Sequence, residues 1–217
     1  MRKSLIFLLL VFLIGCREDN YFLFDKQNPE NITVKVAFIP NDVTFTSDNQ
    51  SFFIDWNFDD SSLTLPVSSL MKLLAGEYEV EISNASASLT VNLNVIGINT
   101  NLPTMSKEQL FEKEGAFLVL FSKKDCYACE SIMVDVFQYF DKASSVNDSS
   151  LLIYQIKYED NNNSSLFGPN ENVLGVTSLE ELEIPSFPTL LLIENSTVKE
   201  YYHGSSSIID YLRTLIS

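Results

Sequence analysis

The chain has 217 residues, of which 46% are hydrophobic and 12% aromatic, enough apolar material for one or two packed domains. Its formal charge of −15 argues against nucleic acid and anionic lipid headgroups as direct partners, since both carry the same sign. The same charge favours a well-solvated exterior.

At the N-terminus Arg2 and Lys3 precede an apolar run of ten residues, Leu5 to Ile14. That length is too short to span a bilayer and suits the core of a signal peptide. The run ends Leu13-Ile14-Gly15-Cys16, which resembles the lipobox of bacterial lipoproteins. The resemblance implies a signal peptide over residues 1–15, cleavage before Cys16 and lipidation of Cys16. The chain would then be anchored by several acyl chains on the extracytoplasmic side of a membrane, facing the periplasm or the cell surface. Removal of Arg2 and Lys3 takes the formal charge from −15 to −17. Arg17-Glu18-Asp19 opens a charged tether over residues 16–30.

Residues 31–98 read as strands. Val34, Val36 and Phe38 alternate with polar or small residues, and Phe45 lies in Val43-Thr44-Phe45-Thr46. Phe52 to Phe58 is rich in aromatics around Trp56, and Glu77 to Ile82 and Leu89 to Val95 alternate again. Period-two runs separated by Asn, Asp, Ser and Gly predict a small antiparallel sandwich. Trp56-Asn57-Phe58-Asp59-Asp60 with Gly76-Glu77-Tyr78 resembles an immunoglobulin-like module of the PKD type, which implies Trp56 and Tyr78 in the core. This segment contains no cysteine, so an inter-sheet disulfide is absent.

A polar linker, residues 99–104, ends this half; beyond it the period changes. Ser106-Lys107-Glu108-Gln109 is a capping-box start for a short helix that Gly115 stops. A buried strand covers Ala116 to Ser122. The helix that follows, to about Asp141, places Cys129, Ile132, Met133, Val136, Phe137 and Phe140 on one face. A strand lies near Leu151 to Tyr158, then a loop from Asp160 to Asn172 and a short helix starting at Ser178-Leu179-Glu180-Glu181. Strands at Thr189 to Glu194 and Thr197 to Tyr202 flank a tight turn at Asn195-Ser196, and a helix from about Ser206 to Ile216 closes the chain. Strands alternating with helices predict an α/β layer fold over residues 105–217.

The chemistry sits in Cys126-Tyr127-Ala128-Cys129, directly after the apolar strand and on the first turn of the helix. Two thiols at this spacing lie close enough to bond to each other, and the unpaired N–H groups of the turn stabilise a thiolate. Ile184-Pro185-Ser186-Phe187-Pro188-Thr189-Leu190-Leu191-Leu192 and Gly204 follow in order. Taken together these three features resemble the thioredoxin superfamily over residues 103–217. The resemblance implies a thioredoxin-like domain in which Pro188 is cis beside the cysteine pair. It makes Phe187 the residue whose backbone pairs with an extended substrate strand, Cys126 the exposed nucleophile and Cys129 the resolving thiol. The implied activity is thiol–disulfide exchange, as reductase or isomerase, on extracytoplasmic protein disulfides, with a redox partner to re-reduce the pair and no cofactor.

Several positions depart from that family. Asp125 stands where thioredoxin has Trp, Tyr127-Ala128 replaces Gly-Pro, and Leu120 replaces a buried aspartate that accepts the second thiol's proton. Lys123 and Lys124 favour the Cys126 thiolate, and Asp125 and Glu130 oppose it. His203, the only histidine, is read as a solvated residue at a hairpin end that could flank the site. Glu180-Glu181 reads as a solvated helix face. With Cys16 lipidated, one histidine and two cysteines cannot supply the four ligands of a structural zinc site. The rival from another class is a surface binding lipoprotein whose thioredoxin-like half is an inert scaffold with a structural disulfide.

Overall fold

The computed structural model describes residues 21–216 apart from positions 49, 147, 149 and 161. Its first half is two facing sheets. One contains β1 (Tyr21–Asp25), β3 (Asp42–Ser47), β4 (Gln50–Phe53), β7 (Gly76–Ser83) and β8 (Ser88–Ile96), in the order β1-β8-β7-β3-β4. The other contains β2 (Ile32–Lys35), β5 (Asn57–Asp59) and β6 (Ser62–Leu65), in the order β2-β6-β5. A single turn of helix, α1 (Val67–Leu70), joins them. Alternation decides which residues face inward: Val80 and Ile82 of β7 and Val91, Leu93 and Val95 of β8 are buried, while Glu77, Glu79 and Glu81 face water.

Three details depart from the sequence expectation. Tyr21–Asp25, placed in the tether, is instead the edge strand β1, because Phe24 can bury its ring among Ile32, Val34 and Val95. β1 runs parallel to β8, so the sandwich is not wholly antiparallel. Tyr78 is buried, with its hydroxyl donating to the Leu74 carbonyl at 2.8 Å, but Trp56 is only half-buried at the margin of a core filled by Phe24, Phe45 and Phe52.

The second half is a four-stranded mixed sheet, β9 (Ala116–Ser122), β10 (Ile153–Lys157), β11 (Thr189–Glu194) and β12 (Thr197–His203), in the order β10-β9-β11-β12. β10 runs parallel to β9, and β11 antiparallel to both β9 and β12. The β11–β12 turn places Asn195 and Ser196 at φ 50° and 56°, the left-handed pair that a tight hairpin needs. On one face pack α3 (Met133–Ala143) and α4 (Ser205–Ile216), over Leu118, Leu120, Ile153 and Leu190. The opposite face carries no α-helix among the described residues. It is covered by a 3-10 turn, Lys107–Leu110, and by irregular chain supplying Leu166, Val173, Val176, Leu182 and Ile184. The helices expected at 106 and 178 are thus, respectively, this 3-10 turn and a non-helical turn.

The halves meet at a pair between Lys26 and Asp141, joined by Asn99 at the start of the linker expected over residues 99–104. The Lys26 ammonium pairs with the Asp141 carboxylate, their side chains 0% and 6% exposed, and Asp141 also accepts from the Asn99 N–H at 2.9 Å. Burial pulls the Lys26 pKa down, and Asp141 opposes that shift. The Val146 N–H donates to the Lys72 carbonyl at 3.0 Å, with its side chain packed on the sandwich core. Replacing Asp141 by Ala leaves a buried ammonium without its counter-charge and is expected to cost about 3–5 kcal/mol of unfolding free energy, read from urea midpoints. A double replacement, Lys26→Met with Asp141→Leu, should recover most of that loss. A single-variant loss near zero would mean that the pair does not hold the halves together.

Candidate functional site

β9 is buried from Phe117 to Ser122 and its two faces lead to two different layers. Phe117, Val119 and Phe121 point into the irregular layer, and Leu118 and Leu120 point toward the helices. Beyond Ser122 the chain emerges into solvent at Lys123, Lys124 and Asp125. This turn is held at two points. Asp125 adopts φ 55°, and the Lys124 N–H donates to Glu159 Oε1 at 2.7 Å. Cys126 then caps α2 (Tyr127–Ser131) in extended backbone, φ −106° and ψ 100°, and its Sγ accepts from the Cys129 N–H at 3.2 Å.

Cys126 and Cys129 form a disulfide with their Cα atoms 5.2 Å apart. Cys126 is half-buried, whereas Cys129 is 4% exposed. One cysteine is therefore partly open to solvent and the other is not. Tyr127 between them is 86% exposed and makes no core contact. The single helix expected to Asp141 is two helices. It breaks at Ile132, at φ −94° and ψ −11°, and α3 resumes at Met133 and runs to Ala143. Both sulfurs are bonded to each other, so in this form neither is a metal ligand.

Distant segments converge here. The Phe187–Pro188 peptide bond is cis, the geometry the family resemblance implies. The Pro188 carbonyl accepts from the Gly204 N–H at 2.9 Å. The next residue, Ser205, donates through Oγ to the carbonyl of Ala128, between the two cysteines, at 3.1 Å, and its Oγ lies 3.2 Å from Ser131 Oγ. Thr189 registers opposite Phe121 on one side and His203 on the other. Among the described residues neither the N–H nor the C=O of Phe187 has a hydrogen-bond partner, although Pro188 is buried. His203 is exposed and stacks on Tyr201 at 6.1 Å. Glu181 is exposed in a turn far along the chain from the cysteines, as befits a solvated residue. Cys16 lies outside the described residues.

The replacement at Leu120 was legible in the sequence, whereas the polar pair two residues further on was not. Leu120 is fully buried against Ile132 and Val136, so nothing ionisable occupies that position. Two residues on, still on the helix side of β9, Ser122 Oγ accepts from Gln155 Nε2 at 2.8 Å. This neutral pair, with Cys129 and Met133, lines a cavity of about 600 Å³ whose rim carries Lys157, Glu159, Asp160 and Glu130. The parity of Leu120 and Ser122 in the strand was the available signal. The partner Gln155 comes from β10 and needed the register. Missed too was an aromatic group formed by Phe121, Tyr158, Phe167 and Phe187, with the Lys123 ammonium 5.1 Å above the Tyr158 ring. Lys123 therefore leans on an aromatic face.

No protein-family model matches the chain, and no curated protein does. Solved structures similar to it include one described as the thiol-resolving mechanism of a yeast mitochondrial 1-Cys peroxiredoxin via glutathione/thioredoxin systems. That likeness has 7% identity, covers 55% of this chain and 98% of the other, and has a TM-score of 0.39. Thioredoxin F from spinach chloroplast is similar at 11% identity over 56% and 99% of the two chains, with a TM-score of 0.35. Malassezia sympodialis thioredoxin is similar at 13% identity over 56% and 96%, with a TM-score of 0.37. These neighbours are thioredoxin-like and match about half of the chain. At such scores they assign this chain no activity.

The apolar setting of Leu120 generates a test. Leu120→Asp removes packed methyl groups at any pH and adds a carboxylate whose folded-state pKa is raised by burial. That second penalty is absent below the ordinary aspartate pKa of about 3.9, grows as pH rises from there, and levels off above the raised folded-state value. The variant should lose at least about 3 kcal/mol more than Leu120→Ala at pH 7, and the difference should shrink toward pH 4 in urea titrations. A pH-independent difference would show that the position is wetter than its packing indicates.

Proposed function

We propose that the chain is a thiol–disulfide oxidoreductase, a reductase or isomerase of protein disulfides, working through Cys126 and Cys129. One observation carries this reading. A half-buried sulfur at a helix cap is bonded to a buried one behind it, and Gly204–Ser205 ties the carbonyl of Ala128, between the two, to that of Pro188, which follows a Phe187 with no main-chain partner among the described residues.

In the reduced form the Cys126 thiolate attacks one sulfur of a target disulfide. A bond forms between Cys126 and that sulfur, the target S–S bond breaks, and the departing sulfur takes up a proton. Cys129 then loses its proton to solvent in the cavity beside it and attacks the Cys126 sulfur. The Cys126–Cys129 bond closes as the second target thiol leaves. Two electrons and two protons pass to the target, and a dithiol donor returns them to the enzyme. The half-buried position of Cys126 suits the first attack, and the seclusion of Cys129 keeps it from capturing targets itself.

The proposal places this domain outside the cytoplasm, where a disulfide persists, on a membrane anchor at lipidated Cys16. It gives the immunoglobulin-like sandwich of the first half the part of spacer or recognition module, docked through the Lys26–Asp141 pair. Cys129→Ser blocks the second attack, so Cys126 should accumulate mixed disulfides with target proteins, seen as dithiothreitol-sensitive adducts on non-reducing gels. Cys126→Ser should form none. In insulin reduction the Cys126 variant is expected to lose at least ~100-fold in rate. If Cys129→Ser traps nothing and the unaltered protein does not speed insulin reduction, the scaffold reading replaces this one.

A further inference from the structure

Between β10 and β11 the chain makes a detour over residues 160–184 that joining the two strands does not require. It is firmly built. The Ile184 N–H donates to the Leu166 carbonyl at 2.8 Å, Gly168 returns a bond to Ile184 at 3.2 Å, and Glu183 and Asn172 exchange bonds at 2.9 and 3.2 Å. Gly175 and Val176 bond to both main-chain groups of Val198 on the outer edge of β12. Leu166, Val173, Val176, Leu182 and Ile184 are buried under it.

The detour delivers one ring to the site. Phe167 stacks on Phe187 with centroids 4.2 Å apart and planes at 27°. Tyr158 meets both rings edge-on at 5.4 Å, and the Lys123 ammonium lies over the Tyr158 ring. Four segments therefore grip one another: the exit of β9, the exit of β10, the detour, and the residue before Pro188. Phe187 has no hydrogen-bond partner for its N–H or C=O among the described residues, and the Pro188 that follows it is tied through Gly204 and Ser205 to the Ala128 carbonyl between the cysteines. Fixing the Phe187 ring restricts χ1, and because the allowed rotamer depends on φ and ψ it narrows the setting of the two peptide planes, before and after Phe187, that carry those groups.

We propose that Phe167 is a positioning residue for thiol–disulfide exchange: by stacking on Phe187 it holds that residue's main-chain donor and acceptor ready for an extended polypeptide carrying the target disulfide. The enzyme thereby favours peptide disulfides over small ones. The inference rests on the exchange reading of Cys126 and Cys129. An extended strand binds through main-chain hydrogen bonds, whereas a small disulfide has no main chain to dock.

The test compares two substrates with the purified full chain and dithiothreitol as donor: insulin, and hydroxyethyl disulfide. Phe167→Ala should raise KM for insulin ~10-fold, while kcat for insulin and the rate with hydroxyethyl disulfide stay within about twofold. Phe167→Tyr keeps the stack and should restore the insulin KM. Phe167→Leu keeps the bulk over the core, guards against simple unfolding, and should leave KM high. An unchanged insulin KM in Phe167→Ala, equal losses on both substrates, or rescue by Leu as complete as by Tyr would overturn the assignment. An unaltered protein that reduces neither disulfide would instead overturn the exchange reading, a distinguishable result.

Discussion

The second half depends on the burial of β9 from both sides. A strand with Phe117, Val119 and Phe121 on one face and Leu118 and Leu120 on the other has no face left for water. It must lie inside the sheet with a layer above and below. Its C-terminal end is where that protection stops, so the chain emerges at Lys123 and meets solvent beside the start of a helix. The cysteine pair stands at that exit. Cys126 caps the short helix α2 and is half-buried, and Cys129, one turn further along it, is buried just before the chain enters α3, which covers Leu118 and Leu120.

The two layers are made differently. Helices α3 and α4 use the ordinary solution, an apolar stripe laid on a sheet. The other face is closed by chain with little regular structure, which buries five aliphatic side chains and meets its backbone needs through paired bonds at 166–168 and 172 with 183–184. That layer reaches the site through Phe167, and the helical layer reaches it through Cys129. The sulfur pair and the segment before Pro188 are thus supported from opposite faces of one sheet.

The sandwich is not a bead on a string. Lys26 follows directly on the first described strand, and Asp141 lies near the end of the helix whose first turn follows the cysteines. A buried charge pair is a poor source of stability, because desolvation consumes most of the attraction. It is a good source of registry, since neither charge tolerates another arrangement. In this protein the pair joins the sandwich to α3, and the same carboxylate accepts from the Asn99 N–H at the start of the linker.

The periodic elements were legible in the amino-acid chain: β9 to the residue, the β11–β12 hairpin with its Asn195-Ser196 turn, the alternating strands β7 and β8, and the C-x-x-C pair at a strand–helix junction. Each is written in local pattern, where side-chain period and turn chemistry act over a few residues. Tyr21–Asp25 was hidden because five residues after a charged stretch show no pattern until a parallel partner, β8, supplies one. The 3-10 turn at 107 and the unwound 178–181 were hidden because weak helical signals yield to packing on a sheet. Which groups stand next to the sulfurs was decided by tertiary structure alone. Ser122 with Gln155, Ser205 with Ala128, and Phe167 with Phe187 are separated by 33, 77 and 20 positions, and only strand register and loop closure bring them within contact. Local pattern named the two cysteines; long-range packing chose their surroundings, because that choice is made by surfaces that do not exist until the chain has folded.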